Sequence, residues 1–187
     1  MEKFLSINNV MDKYIKMKIF LFISCIFFVL IGSSLAQQQY PIGWSEPTSS
    51  DITDDMFKER TGDPFGYLKA KADFNGDGII DTAILLINDK NNKMGLFVSV
   101  SSGEKFNIIQ LAEMDDKTWV DAMGVSTVKP GKYKTACGKG YWECGKGIPE
   151  VLNLKYHAVN FFKFGSANSF FVYDKNLNEF KRIWISD

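Results

Sequence analysis

The chain has few of the side chains that most catalytic and metal centres use: one histidine, His157, and three cysteines in 187 residues. A structural zinc site needs four ligands, commonly Cys and His, so zinc is disfavoured. No G-x-S-x-G segment is present, which removes the nucleophile elbow of the α/β-hydrolase type. Lys plus Arg and Asp plus Glu each number 22 and are interspersed, so no basic face indicates a nucleic-acid partner.

Long hydrophobic runs are also scarce, and the one clear run extends from Ile19 to Ile31. Lys16 and Lys18 precede it, and the small residues Gly32-Ser-Ser-Leu-Ala36 follow it, which is the three-part pattern of a secretory signal peptide. We predict that residues 1–36 are the signal peptide and that the mature protein is periplasmic or secreted, without stable membrane insertion. A retained membrane anchor is the alternative, although the run is short for a membrane span.

Cleavage after Ala36 would leave only two cysteines, Cys137 and Cys144. Two cysteines this close in an oxidising compartment are expected to pair, so we predict a disulfide. The remaining chain carries two more acidic than basic side chains and is long enough for one domain with its own core.

The mature sequence predicts a mainly β single domain of antiparallel strands, arranged as a meander, a sandwich or a propeller-like sheet. An extended N-terminal arm at 37–50 contains Pro41 and Pro47, and the domain itself is placed at 51–187. One short helix is expected from about residue 51 to Arg60, because Ser and Asp residues can cap it and Gly62 and Pro64 follow it. Short apolar or alternating runs separated by turn residues then predict strands. These are 66–73, 82–88, 94–100, 106–113, 124–129, 151–154, 158–164, 169–174 and 179–186.

The segment from Asp73 to Asp81 places oxygen-bearing residues at alternate positions, as a loop that coils around a cation does. Asp73, Asn75 and Asp77 would supply side-chain oxygens, Ile79 a backbone carbonyl, and Asp81 a ligand directly or through water. These ligands predict bound Ca²⁺. An Asx/Gly turn without a metal is the alternative, but three acidic residues in one loop repel each other unless a cation neutralises them.

This segment is not an EF-hand, because the twelfth position, which should be a bidentate glutamate, is Ile84 in an apolar run. It resembles the D-x-N-x-D-G-x-x-D calcium loops of FG-GAP and VCBS repeats, with Gly78 at the glycine position. That resemblance covers about a tenth of the chain and implies a calcium site. It does not imply a whole propeller, because no second copy of the motif is found.

The second unusual segment is the glycine-rich stretch between Cys137 and Cys144, with Tyr141 and Trp142 in it and Lys139 and Lys146 in and beside it. A disulfide would make it rigid, so its aromatic side chains would bind a partner at little entropic cost. We predict that these four residues form a binding loop. The alternative is that Trp142 packs inward over the sheet.

No set of residues identifies a catalytic site, and we predict none. His157 has no evident partner. Asp115, Asp116 and Asp121 around Trp119 could supply a pair of acids for sugar cleavage, but adjacent carboxylates in a polar turn are more often solvated. The G-x-x-x-x-G-K spacing from Gly140 to Lys146 lacks the following Ser or Thr of a phosphate-binding loop.

We therefore expect an exported calcium-binding β-domain that binds another protein, for example an inhibitor or immunity protein against a cell-envelope enzyme. The alternatives are a calcium-dependent hydrolase, and a glycan-binding module that uses Tyr141, Trp142 or Trp119 as a stacking platform.

Overall fold

Antiparallel strands are the main secondary structure of residues 40–103 and 105–187, the part of the chain that the computed structural model describes. The predicted signal peptide lies outside these residues. The strands are β1 Lys69–Ala72, β2 Asp81–Asn88, β3 Lys93–Ser102, β4 Lys105–Met114, β5 Met123–Val128, β6 Gly131–Lys134, β7 Val151–Leu154, β8 Ala158–Lys163, β9 Asn168–Asp174 and β10 Glu179–Ser186.

The predicted mainly β class is confirmed, and all nine predicted strands are present, with ends that differ by up to three residues. Only β6 was not predicted, because its four residues follow Pro130 and alternate between polar and half-buried positions. Strand β6 exists because it pairs with β7, from Gly131 opposite Leu154 to Lys134 opposite Val151. The local sequence pattern of β6 does not reveal this pairing, because β7 lies about 20 residues further along the chain.

Helical structure is shorter than predicted. Residues Ser49–Asp51 form a single 3-10 turn, in which the Thr48 backbone N–H donates to Asp51 over 2.8 Å. The α-helix α1 then spans Asp54–Glu59, and a second helix that was not predicted, α2, spans Trp119–Ala122. Helix α2 has four residues, which is too short for a helical period to appear in the sequence.

Two four-stranded sheets carry the fold. Sheet 1 is a meander in the order β1–β2–β3–β4, and sheet 2 has the order β10–β9–β8–β5. The β6–β7 hairpin and its long connecting loop are inserted between β5 and β8. The two sheets meet near β1 and β5, where the Val125 backbone N–H donates to the Tyr67 carbonyl over 2.7 Å.

The main core contains the facing sides of the two sheets. Leu85 and Leu96 from sheet 1 share one buried cluster with Val125, Phe161 and Phe171 from sheet 2. The apolar run in β2 is continuous because this strand is buried on both faces.

The N-terminal arm covers the outer face of sheet 1. Tyr40 and Trp44 pack against a second buried cluster formed by Ile84, Leu86 and Phe97. Ser45 also forms an antiparallel bridge with Ile87, through two N–H to carbonyl bonds of 2.9 Å. The N-terminal arm therefore pairs with β2 at Ile87, beyond the point where the pairing of β1 with β2 ends.

Arg60 is the largest fully buried polar side chain and joins α1 to the rest of the domain. Its Nη1 donates to the Gly66 carbonyl over 2.6 Å. Its Nη2 reaches the carbonyls of Val120, Asp121 and Met123 at 2.6, 3.0 and 2.8 Å. One guanidinium thus satisfies backbone acceptors from the loop after α1, from α2 and from the start of β5.

Replacing Arg60 should strongly destabilise the protein. In Arg60→Ala, four carbonyls lose a charged donor in a buried place, so the free energy of unfolding should fall by about 3–5 kcal/mol. Urea denaturation followed by circular dichroism measures this change. The control is Lys58→Ala in α1, where the exposed side chain should change the value by about 0.5 kcal/mol or less. Equal losses in the two variants would contradict the role given to Arg60.

Candidate functional site

The Asp73–Asp81 loop connects β1 to β2 and is coiled by hydrogen bonds from its own backbone to its side chains. The Asp73 Oδ1 accepts from the Gly76 N–H at 2.6 Å and from the Asp77 N–H at 3.1 Å. Its Oδ2 accepts from the Gly78 N–H at 2.9 Å. Gly78 has φ of 88°, a left-handed conformation in which glycine carries no Cβ penalty.

Asn75 and Asp77 continue this coil. The Asn75 Oδ1 accepts from the Asp77 N–H at 3.0 Å, and the Asp77 Oδ1 accepts from the Ile79 N–H at 2.8 Å. The Asn75 amide nitrogen donates to Asp77 Oδ2 over 3.0 Å. The residues predicted as ligands at the first, third and fifth positions therefore lie in one tight loop.

Asp81, the last predicted ligand, is fully buried. Its Oδ2 accepts from the backbone N–H groups of Phe74 and Asn75, at 2.8 and 3.3 Å. Its Oδ1 accepts from the backbone N–H and the hydroxyl of Ser101, at 2.9 and 3.1 Å. Three backbone N–H groups donate to this carboxylate, and the Ser101 hydroxyl is shared with Asp77, so Asp81 anchors the loop to β3.

Ser101 is the site residue that the sequence analysis missed. Its hydroxyl lies 2.5 Å from Asp77 Oδ2 as well as 3.1 Å from Asp81 Oδ1, and it carries one proton for two carboxylates. Thr82 lies opposite Ser99 in the β2–β3 register, so continuing that register places Val100 opposite Asp81, and Ser101 is the next residue along β3. The Asp89–Asn92 turn joins β2 to β3 and sets their register, so it is the sequence feature from which the position of Ser101 near Asp81 could have been predicted.

Several groups lower the pKa of Asp77 below the ordinary range. The hydrogen bond from the Ser101 hydroxyl is the main cause of this lower pKa. Partial burial raises the pKa and so opposes the shift. The Ile79 N–H, the Asn75 amide and the positive charge of Lys175 lower the pKa further. Lys175 donates to the Gly76 carbonyl over 3.0 Å and lies 4.4 Å from the centre of the Tyr156 ring.

The loop has the donor chemistry for calcium, because carboxylate, amide and carbonyl oxygens are the ligands that this hard cation takes. Within residues 40–103 and 105–187, however, no three His, Cys, Asp or Glu side chains are arranged as a metal-holding group. The carboxylates of Asp73, Asp77 and Asp81 are directed at backbone N–H groups and at Ser101.

The second site is the disulfide loop, Cys137–Cys144, in the connection between β6 and β7. The structure joins Cys137 and Cys144 as a disulfide with a Cα–Cα distance of 5.0 Å. The loop is attached to the edge of sheet 2, because the Ala136 N–H donates to the Trp184 carbonyl over 2.8 Å. Buried Thr135 accepts from the Gly138 N–H at 3.1 Å.

The aromatic pair of the disulfide loop faces solvent. Tyr141 is 52% exposed and Trp142 is 43% exposed, with ring centroids 6.2 Å apart. The alternative that Trp142 packs inward as a lid is therefore wrong. Lys139 donates to the Ile185 carbonyl over 2.7 Å and so holds the loop against β10, whereas Lys146 is exposed.

The carboxylates considered for sugar cleavage have separate surroundings. Asp121 accepts from the backbone N–H and the hydroxyl of Thr53, both at 2.9 Å, and so fixes the start of α1. Asp116 accepts from the Thr118 N–H at 2.9 Å, and the Asp115 side chain is fully exposed. His157 lies in the turn between β7 and β8.

No known family model, curated protein or solved structure matches this chain. The FG-GAP/VCBS resemblance therefore rests on the Asp73–Asp81 loop alone. What the protein does has to be inferred from the chemistry of its own residues.

The lowered pKa of Asp77 makes a prediction about acid stability. The ionised side chain stabilises the fold above the ordinary carboxyl pKa of about 3.9, and this contribution is lost as pH falls through the lower folded-state pKa. In chelator, the melting temperature of Asp77→Asn should therefore fall less than that of the wild type between about pH 5 and pH 2. Asp115→Asn, with its fully exposed side chain, should follow the wild type. Parallel curves for all three proteins would contradict the prediction.

Proposed function

We propose that the protein is an exported calcium-binding β-domain that acts by binding another protein through the disulfide loop. The observation that carries this proposal is the exposure of Tyr141 and Trp142 on a backbone that is fixed at both ends. Exposed Tyr and Trp side chains are the residue types that dominate interface energies.

The rigidity of the disulfide loop favours binding because little conformational entropy is lost when the partner docks. Three attachments supply that rigidity: the disulfide, the Lys139 bond to the Ile185 carbonyl, and the bond from the Tyr141 N–H to the Ala136 carbonyl at 3.1 Å. An aromatic pair presented in one orientation suits a cleft in the partner. Inhibition of a cell-envelope enzyme is the specific form of this function that we propose.

Export is supported by the disulfide, because such bonds persist in oxidising compartments outside the cytosol. Among residues 40–103 and 105–187, no helix is long and apolar enough to cross a membrane. We propose that the protein works in the periplasm or outside the cell, after removal of residues 1–36.

Calcium binding is proposed at the Asp73–Asp81 loop. Asp73, Asn75 and Asp77 would hold the ion together with the Ile79 carbonyl, and Asp81 would hold it directly or through water. The support is electrostatic: the carboxylates of Asp77 and Asp81 share one hydroxyl proton, so a cation would relieve their repulsion. Binding would require some carboxylate oxygens to exchange backbone N–H partners for the ion.

The role proposed for calcium is to stabilise the junction of the two sheets. The loop belongs to sheet 1, but Lys175 in the β9–β10 turn of sheet 2 donates to the Gly76 carbonyl. Gly76 also lies against Tyr156, whose ring would be only 2.4 Å from an added Cβ. Calcium would make the Asp73–Asp81 loop more rigid, and its contacts with Lys175 and Tyr156 would then hold the two sheets in position relative to each other.

Calcium should raise the melting temperature of the protein. A ligand that binds only the folded state adds about 2.7 kcal/mol at a hundredfold excess over its Kd, which corresponds to roughly 5–10 °C for a domain of this size. Scanning calorimetry in millimolar calcium and in chelator measures the difference. Asp77→Ala should abolish the calcium response, and Asp115→Ala should retain it. If wild-type melting is the same in both conditions, the loop is only a turn.

Trp142→Ala should reduce partner binding more than stability. A partner captured from the envelope fraction and then purified should bind this variant about tenfold or more weakly than the wild type, since Trp hot spots contribute 2 kcal/mol or more. Isothermal titration calorimetry measures the Kd. Trp119→Ala is the matched control, because Trp119 has a similar exposure of 38% and lies outside the disulfide loop.

Melting curves of the same variants separate binding from folding. Trp142→Ala should melt within a few degrees of the wild type because the side chain is already exposed. A variant that melts far lower while it binds the partner normally would show that Trp142 is structural and would refute the recognition role.

A further inference from the structure

The outer face of sheet 2 is divided into a covered half and an open half. The β6–β7 hairpin covers one half, where Leu152 and Leu154 share a buried cluster with Val128, Ala158 and Phe170. The other half forms a groove of about 430 Å³. This volume lies within the range of roughly 300–1,000 Å³ for small-molecule sites.

A row of uncharged polar side chains runs across the groove, one from each strand of sheet 2. Asn160 donates to the Ser126 hydroxyl over 3.1 Å, and Asn168 donates to the Asn160 side-chain oxygen over 3.0 Å. The Ser186 hydroxyl donates to the Asn168 side-chain oxygen over 2.6 Å. These bonds fix the amide orientations and use only part of the capacity of each amide, which has two donors and two acceptor positions.

Aromatic rings form the opposite side of the groove. Tyr67, Phe162 and Phe164 contact each other edge to face, with ring centroids 5.6, 5.8 and 5.1 Å apart. Phe162 lies across Gly124, because a Cβ added at Gly124 would come within 2.4 Å of the ring. Phe162 also lies opposite Asn168 in the β8–β9 register, so the aromatic wall directly adjoins the amide row.

Tyr67 is held in a strained backbone conformation at this wall. Its φ of 63° is in the left-handed region, which is an outlier for a bulky residue. Such strain persists only where the surroundings enforce it, and it is concentrated at functional sites. The bond from the Val125 N–H to the Tyr67 carbonyl holds this conformation, and the ring remains 37% exposed.

The charges along the groove cancel. Glu59 and Lys163 are the acidic and basic residues among those that line it. The Lys163 ammonium lies 5.1 Å from the centre of the Trp119 ring. The groove therefore offers amides, hydroxyls and aromatic rings to a ligand, without an excess charge of either sign.

We propose that this groove binds a neutral saccharide. A pyranose ring presents apolar C–H groups on its faces and hydroxyls around its edge, which match an aromatic wall beside a row of amides and hydroxyls. A purely apolar ligand would leave the unused donors and acceptors of Asn160 and Asn168 unsatisfied, which is costly when they are covered. An anionic ligand would find no excess positive charge. This site uses none of the residues of the disulfide loop and does not depend on the function proposed for that loop.

Nuclear magnetic resonance titration of the ¹⁵N-labelled protein tests the proposal directly. The probes are maltopentaose, cellopentaose and mannopentaose, with pentagalacturonic acid as the charged comparison. At least one neutral oligosaccharide should shift the side-chain amide signals of Asn160 and Asn168 in a saturable manner, and the acidic one should not. Absence of binding by all three neutral probes would overturn the proposal, as would shifts confined to Tyr141 and Trp142.

Variants then separate the groove from the fold and from the disulfide loop. Tyr67→Gly removes the ring and suits the positive φ, so binding should weaken about tenfold or more while the protein stays folded. Asn160→Asp keeps the shape but adds a charge, and it should weaken binding to a similar extent. If Tyr67→Gly fails to fold, the oligosaccharide affinity of Asn160→Asp alone tests the groove.

Trp142→Ala is the control and should bind the oligosaccharide as the wild type does. Loss of binding in Trp142→Ala, or unchanged binding in Asn160→Asp, would overturn the proposal. Groove signals that shift with protein concentration alone would also overturn it, because they would show that a second copy of the chain covers this face.

Discussion

The domain depends on one buried guanidinium. Arg60 binds four backbone carbonyls and so fixes α1, the loop before β1, α2 and the start of β5 relative to each other. Its Nε has no hydrogen-bond partner in the part of the chain that the structure describes. The bonds from Nη1 and Nη2 to the carbonyls therefore have to offset the cost of burying the charged group. Because its guanidinium also lies 5.1 Å from the centre of the Phe164 ring, the same residue supports the aromatic wall of the groove.

Asp81 has the corresponding role in sheet 1. A fully buried carboxylate is stable only when donors satisfy it, and its donors come from the Asp73–Asp81 loop and from Ser101 at the end of β3. The loop is therefore built into the sheet rather than attached to it. The calcium proposed there would act on a junction that already links the two sheets through Lys175.

The β6–β7 insertion carries one proposed recognition surface and leaves the other uncovered. It covers half of the outer face of sheet 2 with Leu152 and Leu154 and leaves the Asn160–Asn168 row open. Its connecting loop carries Tyr141 and Trp142 into solvent and is held to β10 at Trp184 and Ile185. A single excursion from a four-strand meander thus carries the loop that we propose binds a protein and borders the groove that we propose binds a saccharide.

Local patterns in the sequence were enough for nine strands, the Cys137–Cys144 pair and the Asp73–Asp81 loop, because strand period, turn residues and cysteine spacing are properties of short segments. They failed for β6 and α2, which are only four residues long, and for Arg60, three of whose four carbonyl partners lie about 60 positions away. Ser101 and the groove were also missed. The pairing of β2 with β3 places the Ser101 hydroxyl between two carboxylates, and the pairing of β5, β8, β9 and β10 places four polar side chains in one row. Neither pairing is a property of a single short segment.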